Sequence, residues 1–250
     1  MSTFFFITCS IKRNDPKIEA FFRKFLFEEG GAYTLLGDKP ITDMLIFTGL
    51  PKDTALNTVS PESLQSLTYV DDDTFEQWKE WKKFMKDLRF KNFLFIEGKC
   101  ARDSTYSWIC LINIPKAVKI IQDHELAFRK IIGDQPLDSL DIIHRLTDPK
   151  SRFLEAVFSD HYLSGLLHGY GEENSRIFAE GFLKEKLHTV LEQPQVSAEN
   201  SMTHEYFPLP TYAASKNDPM QAKYEKQRKE IQNIYRGGNI IDITLKFLQK

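Results

Sequence analysis

The fold is decided by two stretches of sequence, NFLFIE at residues 92–97 and YSWICLINI at residues 106–114. Both are rich in aromatic and β-branched residues, which favour strands, and a polar connection over residues 98–105 joins them. They predict an antiparallel hairpin. Pro115 ends the second strand and opens a long helix that runs to Gly133.

Helical periodicity dominates the rest of the chain. Asp15 and Pro16 give the start signals of a first helix, which ends at the glycine pair of residues 30–31. Residues 44–47 predict a further strand, and residues 151–191 stay helical except for a break at residues 169–171. The sequence therefore predicts a mostly helical α+β fold, in which a small antiparallel sheet is packed by helices on one side and a helical bundle forms most of the second half.

The chain has 250 residues, which is enough for one large domain with a substantial core. No repeat and no clean linker divides it. We predict a single globular domain over residues 1–250, with a long irregular loop at about residues 194–219 and a terminal helical segment at residues 220–250.

Composition excludes several classes of protein. The net charge is −2 and the pI is about 6.3, so the basic excess that is typical of nucleic-acid binders is absent and no nucleic-acid partner is expected. Three cysteines do not make a disulfide framework. No apolar run is long enough for a transmembrane segment. The common nucleotide, hydrolase and zinc motifs are missing from the sequence, and we expect no cofactor.

The apolar run at residues 4–9, which ends in Cys9, has two interpretations. It predicts either a first strand or the tail of a lipoprotein signal whose start lies upstream, although no basic segment precedes it and it is short for a signal. As written, the chain predicts a cytoplasmic protein. A lipidated Cys9 would instead place it at the cell envelope.

The first candidate site is the turn at residues 37–40, GDKP. Glycine permits the turn, proline stiffens it, and Asp38 and Lys39 project from it. Such a loop could present Lys39 to an anionic ligand. The alternative is a plain turn with two surface charges.

The second candidate site is the segment HGYGEEN at residues 168–174. Its glycines let a ligand or backbone approach closely, and a helix start favours an anion, which makes His168, Tyr170 and Asn174 candidate binding residues. The alternative is a helix junction that needs glycine for close packing. His161 and His168 are two helical turns apart, roughly 10 Å, so the sequence predicts no metal site.

Three segments together resemble a family of bacterial proteins with no assigned activity, found mainly in Gram-negative bacteria that live inside host cells. They are AYTLLGDKP at residues 32–40, ICLIN at residues 109–113, and GLLHGYG at residues 165–171 followed by Asn174. The resemblance covers roughly residues 10–190. It implies a bacterial source and a shared fold, and some members of the family look like envelope lipoproteins.

These observations leave the activity unknown. Our first hypothesis is a non-enzymatic binding or interaction protein of a bacterium, with a protein or a small molecule as its partner. The alternative is an enzyme whose polar or anionic substrate binds between residues 37–40 and 169–174, which requires the two loops to meet. A third hypothesis is a structural protein that forms oligomers through its charged C-terminal helix.

Overall fold

The computed structural model describes residues 15–49, 73–100, 105–133, 138–148, 150–184, 207–210 and 218–250. The strands are β1 (Ile41–Phe47), β2 (Phe93–Lys99) and β3 (Tyr106–Asn113). The helices are α1 (Pro16–Phe22), a π-helical segment (Arg23–Glu28), α2 (Gly31–Leu35), α3 (Asp73–Met85), α4 (Ile114–Asp123), α5 (Glu125–Ile132), α6 (Ser139–Thr147), α7 (Phe153–Ser159), α8 (His161–Leu167), α9 (Glu172–Lys184), α10 (Pro219–Tyr235) and α11 (Ile240–Leu248). The predictions made for residues 4–9, and for most of the loop at residues 194–219, lie outside the described residues.

The predicted hairpin is confirmed, and its second strand is the centre of the sheet. The strand order is β1-β3-β2, and β3 is antiparallel to both neighbours. Asp43 of β1 and Ile96 of β2 both pair with Cys110 of β3. Because directly paired residues point to the same side of a sheet, these three side chains share one face.

Helices cover both faces of the sheet, which corrects the prediction of helices on one side. One face packs on the N-terminal helices, α3, α10 and α11, through Met44, Ile46, Phe93, Phe95, Ile109 and Leu111. The other face packs on α4 to α8 through Ile41, Cys110 and Ile112. The signal was present in β3, since ICLI at residues 109–112 is a continuous apolar run that is typical of a strand buried on both faces.

The first helix starts as predicted and changes its geometry halfway. The Asp15 side chain caps α1 by accepting hydrogen bonds from the N–H groups of Lys17 and Ile18. The π-helical segment then follows without a break. Rings on this layer pack against both tryptophans of α3, with Phe21 5.5 Å from Trp78 and Phe22 4.8 Å from Trp81 between ring centroids. This aromatic cluster joins the N-terminal helices to the sheet.

The long helix predicted from Pro115 to Gly133 is in fact two helices. His124 leaves the helical region with φ −118° and ψ 30°, and α5 begins afresh at Glu125. An acidic residue suits the first turn of a new helix. Phe207, a described residue of the predicted irregular loop, is buried against Phe27 and Tyr33. That part of the loop therefore belongs to the core.

Candidate functional site

The two candidate loops touch each other. Residues 37–40 lead into β1, and residues 168–171 join α8 to α9. A Cβ atom built on Gly169 would lie 2.6 Å from Pro40 Cδ and 3.7 Å from Lys39 Cα. The Lys39 Nζ lies 5.8 Å from the centroid of the Tyr170 ring. The convergence that the enzyme hypothesis required is therefore present.

Neighbouring elements hold each loop in place. The N–H of Lys39 donates to the carbonyl of Tyr33 at 3.2 Å, and the N–H of Asn113 donates to the carbonyl of Pro40 at 2.8 Å. The Tyr224 hydroxyl of α10 donates to the carbonyl of Gly169 at 3.3 Å. The first loop is thus fixed to α2 and β3, and the second to α10.

Two glycines give the second loop its shape. Gly169 and Gly171 have φ values of 81° and 82°, in the left-handed region that favours glycine. The Asn174 side chain, which is 4% exposed, donates to the carbonyl of Tyr170 at 2.9 Å. The structure therefore shows Asn174 closing the loop from the first turn of α9.

Asp38 is bonded to α10. Its Oδ2 accepts a hydrogen bond from Gln227 Nε2 at 2.8 Å and lies 3.1 Å from Lys223 Nζ, while its N–H donates to Gln227 Oε1 at 3.2 Å. A Cβ atom on Gly37 would lie 2.3 Å from the same Gln227 oxygen. Asp38 and Gly37 therefore anchor the loop to α10, and Lys39 is the residue of this turn that points inward.

Lys39 is a buried cation without an acceptor. The residue is only 4% exposed. Within the part of the chain that the structure describes, its ammonium makes no hydrogen bond and no ion pair. Burial lowers the pKa of Lys39 to about 8, against the opposing attraction of Asp43, Cys110 and Glu29.

Asp43 and His168 form an ion pair beside this cation. His168 Nε2 lies 2.6 Å from Asp43 Oδ1, and His168 Nδ1 lies 2.7 Å from the carbonyl oxygen of Ser164. A carbonyl oxygen and a carboxylate oxygen both accept hydrogen bonds, so both ring nitrogens of His168 act as donors. A ring that donates from both nitrogens is an imidazolium, and it faces the Asp43 carboxylate. Burial alone would raise the pKa of Asp43, but the charge and hydrogen bond of His168, with help from Lys39, hold it below its ordinary value.

Two further neighbours of Lys39, Cys110 and Tyr170, are neutral. Burial raises the pKa of the Cys110 thiol well above its ordinary value, and the charge of Asp43 raises it further. Burial also raises the pKa of the Tyr170 phenol, whose ring stacks on His168 with centroids 5.5 Å apart. Neither side chain supplies an anion at neutral pH. We call Lys39, Asp43, His168 and Tyr170 the Lys39 group.

Sequence reasoning found three members of the Lys39 group and missed Asp43. The signal that could have found it is a carboxylate inside the apolar strand ITDMLIF, four residues after Lys39. A charge inside such a strand needs a partner when it faces a core. Its partner His168 lies 125 residues away in the chain, so no local pattern could have linked the two.

The other histidine that we considered has a different environment. Asp160 caps α8 by accepting from the N–H groups of Tyr162 and Leu163, and the His161 ring packs edge-on against Phe178. Among the described residues, no group of three or more His, Cys, Asp or Glu side chains could hold a metal ion. No helix in the described ranges is long and apolar enough to cross a membrane.

Comparison with known proteins found no matching family model, no matching curated protein and no matching solved structure.

Proposed function

We propose that this protein binds a small anionic molecule at the ammonium of Lys39, within the Lys39 group. One observation carries the proposal: Lys39 is 4% exposed, and its ammonium has no acceptor among the described residues. Lysine is almost never buried to this extent unless it is paired. A bound anion would supply the partner.

The charges around Lys39 favour an anion over a neutral ligand. Taking an ion out of water costs several kcal/mol even after the protein relaxes. Asp43 attracts Lys39 most strongly, but its carboxylate is engaged by His168 at 2.6 Å. Because the charges of Asp43 and His168 compensate each other, the positive charge of Lys39 has no counter-charge within the Lys39 group.

The exposure of the group indicates how a ligand would reach it. The Asp43 side chain is 36% exposed and the His168 side chain 10%, and Lys39 as a residue is 4% exposed. Asp43 therefore marks the solvent side of the Lys39 group. Because only 4% of Lys39 is exposed, a small ligand is favoured, such as a phosphate or a short carboxylate.

Catalysis at the same place is the second candidate, and the Asp43–His168 pair supports it. A carboxylate-oriented imidazole is a common general acid or base, and a lysine with a pKa of about 8 can exchange a proton near neutral pH. The two functions share the ligand site. They differ in whether a bound anion is released unchanged.

Anion binding is tested by thermal unfolding at constant ionic strength. We would titrate phosphate, sulfate, acetate and succinate in turn against chloride, and compare the native chain with Lys39→Met. A ligand that binds only the folded state at 100 times its Kd stabilises by about 2.7 kcal/mol, which corresponds to a rise in Tm of roughly 5–10 °C for a chain of this size. We expect such a rise for at least one anion, and its loss in Lys39→Met.

The matched control is Lys119→Met, which removes one positive charge from an exposed lysine paired with Asp123. It should respond to the anions as the native chain does. Phosphate and sulfate also stabilise proteins without binding, so a rise of equal size in all three proteins would overturn the proposal. The anion that binds is then incubated with the protein, and mass spectrometry shows whether the anion is unchanged or has been converted to a product.

The resemblance to bacterial proteins supports a bacterial source for this binding protein, and lipid attachment at Cys9 would place it at the envelope. Cys9 lies outside the described residues. Expression of the full-length gene with a radiolabelled fatty acid tests the attachment. Label that is retained by the native chain and lost in Cys9→Ser would support the envelope location, and unlabelled protein would overturn it.

A further inference from the structure

The outer edge of β2 has unused backbone hydrogen-bonding groups. Two backbone hydrogen bonds show which residues of β2 bond to β3. They run from the Cys100 N–H to the Tyr106 carbonyl and from the Ile114 N–H to the Asn92 carbonyl. In an antiparallel ladder such pairs alternate, so the even-numbered residues bond to β3. The backbone groups of Phe93, Phe95, Glu97 and Lys99 therefore point outward, and they make no hydrogen bond among the described residues.

A groove runs along this edge. Its first part has a volume of about 360 Å³ and lies between residues 94–98 of β2 and the facing side of α6 and α7. A second part of about 560 Å³ continues past Lys99 and Cys100. The two parts share Trp108 and Glu155. Together they follow β2 over nearly its whole length.

The lining of the groove suits an extended chain with apolar side chains. Leu94 and Ile96 of β2 are only half-buried, and they point into the groove together with Trp108 and Leu154. The backbone edge of β2 forms one wall. In an extended peptide, alternate side chains point the same way, so every second residue could rest on this apolar floor while its backbone pairs with β2.

One unpaired cation in the groove favours a partner that carries a carboxylate. Arg145 lines the first part, is half-buried, and makes no hydrogen bond or ion pair among the described residues. Glu97 is already held by Lys82 at 2.6 Å, and Glu155 by Arg152 at 3.1 Å. Asp148 also lines the groove, and its carboxylate accepts from the N–H of Lys150. Arg145 therefore offers its guanidinium to an incoming carboxylate, whereas the side chain of Lys99 is turned to the opposite face of the sheet, where Glu97 bonds to α3.

We propose that the groove beside β2 binds an extended peptide segment of another protein, which adds a fourth strand to the sheet and places a carboxylate against Arg145. Strand addition of this kind takes its affinity from backbone hydrogen bonds and its specificity from pockets for alternate side chains. The carboxylate is an acidic side chain or a chain terminus. This site is separate from the Lys39 group and does not depend on the function proposed there.

The probe is a phage-displayed library of random seven-residue peptides with free C-termini, selected on the full chain. We expect the selected peptides to alternate apolar residues and to carry an acidic residue or to require the free terminus. Synthetic copies should bind Arg145→Gln at least tenfold more weakly than the native chain, since a charge-assisted hydrogen bond is lost. Arg176→Gln is the matched control and should bind normally, because Arg176 is an exposed residue of α9 that is paired with Glu180 and does not line the groove.

A second pair of variants tests the backbone. The N–H of Lys99 points outward, so Lys99→Pro removes a donor that the sheet does not use. We expect Lys99→Pro to weaken peptide binding and Lys99→Ala to preserve it. Bound peptide should also slow amide hydrogen exchange at Phe95 and Glu97.

Three results would overturn the proposal. The first is that the library yields no binder. The second is that Arg145→Gln and Lys99→Pro bind the selected peptides as tightly as the native chain does. The third is that bound peptide leaves the amide hydrogen exchange of Phe95 and Glu97 unchanged. If sedimentation instead shows a concentration-dependent dimer in which the same amides are protected without peptide, the edge belongs to a second copy of this chain and the proposal also fails.

Discussion

His168 Nε2 lies 2.6 Å from Asp43 Oδ1, which joins the end of α8 to the middle of β1 across 125 residues of chain. The second nitrogen of the ring is held by the Ser164 carbonyl. The imidazolium is therefore fixed at both ends. Its charge compensates the Asp43 carboxylate, which also attracts Lys39, and the Lys39 ammonium is the charge of the Lys39 group that remains available.

Replacing Asp43 with asparagine should destabilise the fold at neutral pH by about 1–3 kcal/mol, because the buried donor His168 loses its charged acceptor. The Asp43 side chain is 36% exposed, so solvent screens part of the effect. The pKa of Asp43 is lowered in the folded state. Its stabilisation is therefore complete above the unfolded pKa of about 3.9 and is lost as the pH falls through the folded pKa.

The measurement is urea unfolding of the native chain and Asp43→Asn at pH 7 and pH 3. The difference between the two proteins should be large at pH 7 and should shrink at pH 3. Asp123→Asn, which breaks an exposed ion pair with Lys119, should cost less than about 0.5 kcal/mol. Equal stability of the native chain and Asp43→Asn at pH 7 would show that the pair contributes nothing.

Replacing Lys39 with methionine should stabilise the free protein. The pKa of Lys39 falls from its ordinary 10.5 to about 8 in the folded state, mainly through burial. The charged form is therefore disfavoured by folding, and the penalty is on the order of 3 kcal/mol below pH 8. Methionine has a similar length and no charge to desolvate.

The pH dependence gives this effect a signature. Between pH 8 and pH 10.5 the unfolded chain keeps the Lys39 proton and the folded chain releases it, so native stability rises with pH relative to the variant. Asp43, Glu29, Cys110 and Tyr170 lie around Lys39 in both proteins, and their contributions to the pH dependence largely cancel in the difference. The free energies of unfolding of the native chain and Lys39→Met, measured at pH 7 and pH 9.5, give this difference. A native chain that is more stable than Lys39→Met at pH 7 would mean that the ammonium has a partner.

Much of the fold could be predicted because its signals are local. The hairpin at residues 92–114 follows from β-branched and aromatic runs, and the start of α1 follows from Asp15 and Pro16. The break at His124 could not be predicted in this way. Ile121 and Phe128 keep the helical spacing across it, so the apolar pattern is the same for one helix as for two.

The candidate site was predictable only in part, for a related reason. The loops at residues 37–40 and 168–174 are unusual in sequence, and both indeed lie at the site. The role of each side chain depends on tertiary contacts. Asp38 looks as available as Lys39 in the sequence, yet α10 binds it through Gln227, nearly two hundred positions away. Burial, which makes Lys39 distinctive, has no sequence signature at all in a turn.

Gly169 and Gly171 allow the loop contact to be tested by one matched pair of variants. Both have φ near 80°, so alanine at either position meets the same backbone strain, about 1–2 kcal/mol. They differ in their surroundings. An added Cβ at Gly169 would lie 2.6 Å from Pro40 Cδ, whereas at Gly171 it would meet nothing within 4 Å.

Gly171→Ala should therefore lose about 1–2 kcal/mol of stability and Gly169→Ala distinctly more, roughly 3 kcal/mol or above, because strain and collision combine. Urea unfolding of both variants measures the difference. The collision also pushes the Pro40 turn away from the second loop, so Gly169→Ala should lose the anion-dependent rise in Tm that Gly171→Ala keeps. If the two variants are equally stable and respond equally to anions, close contact between the loops is not what sets the position of Lys39.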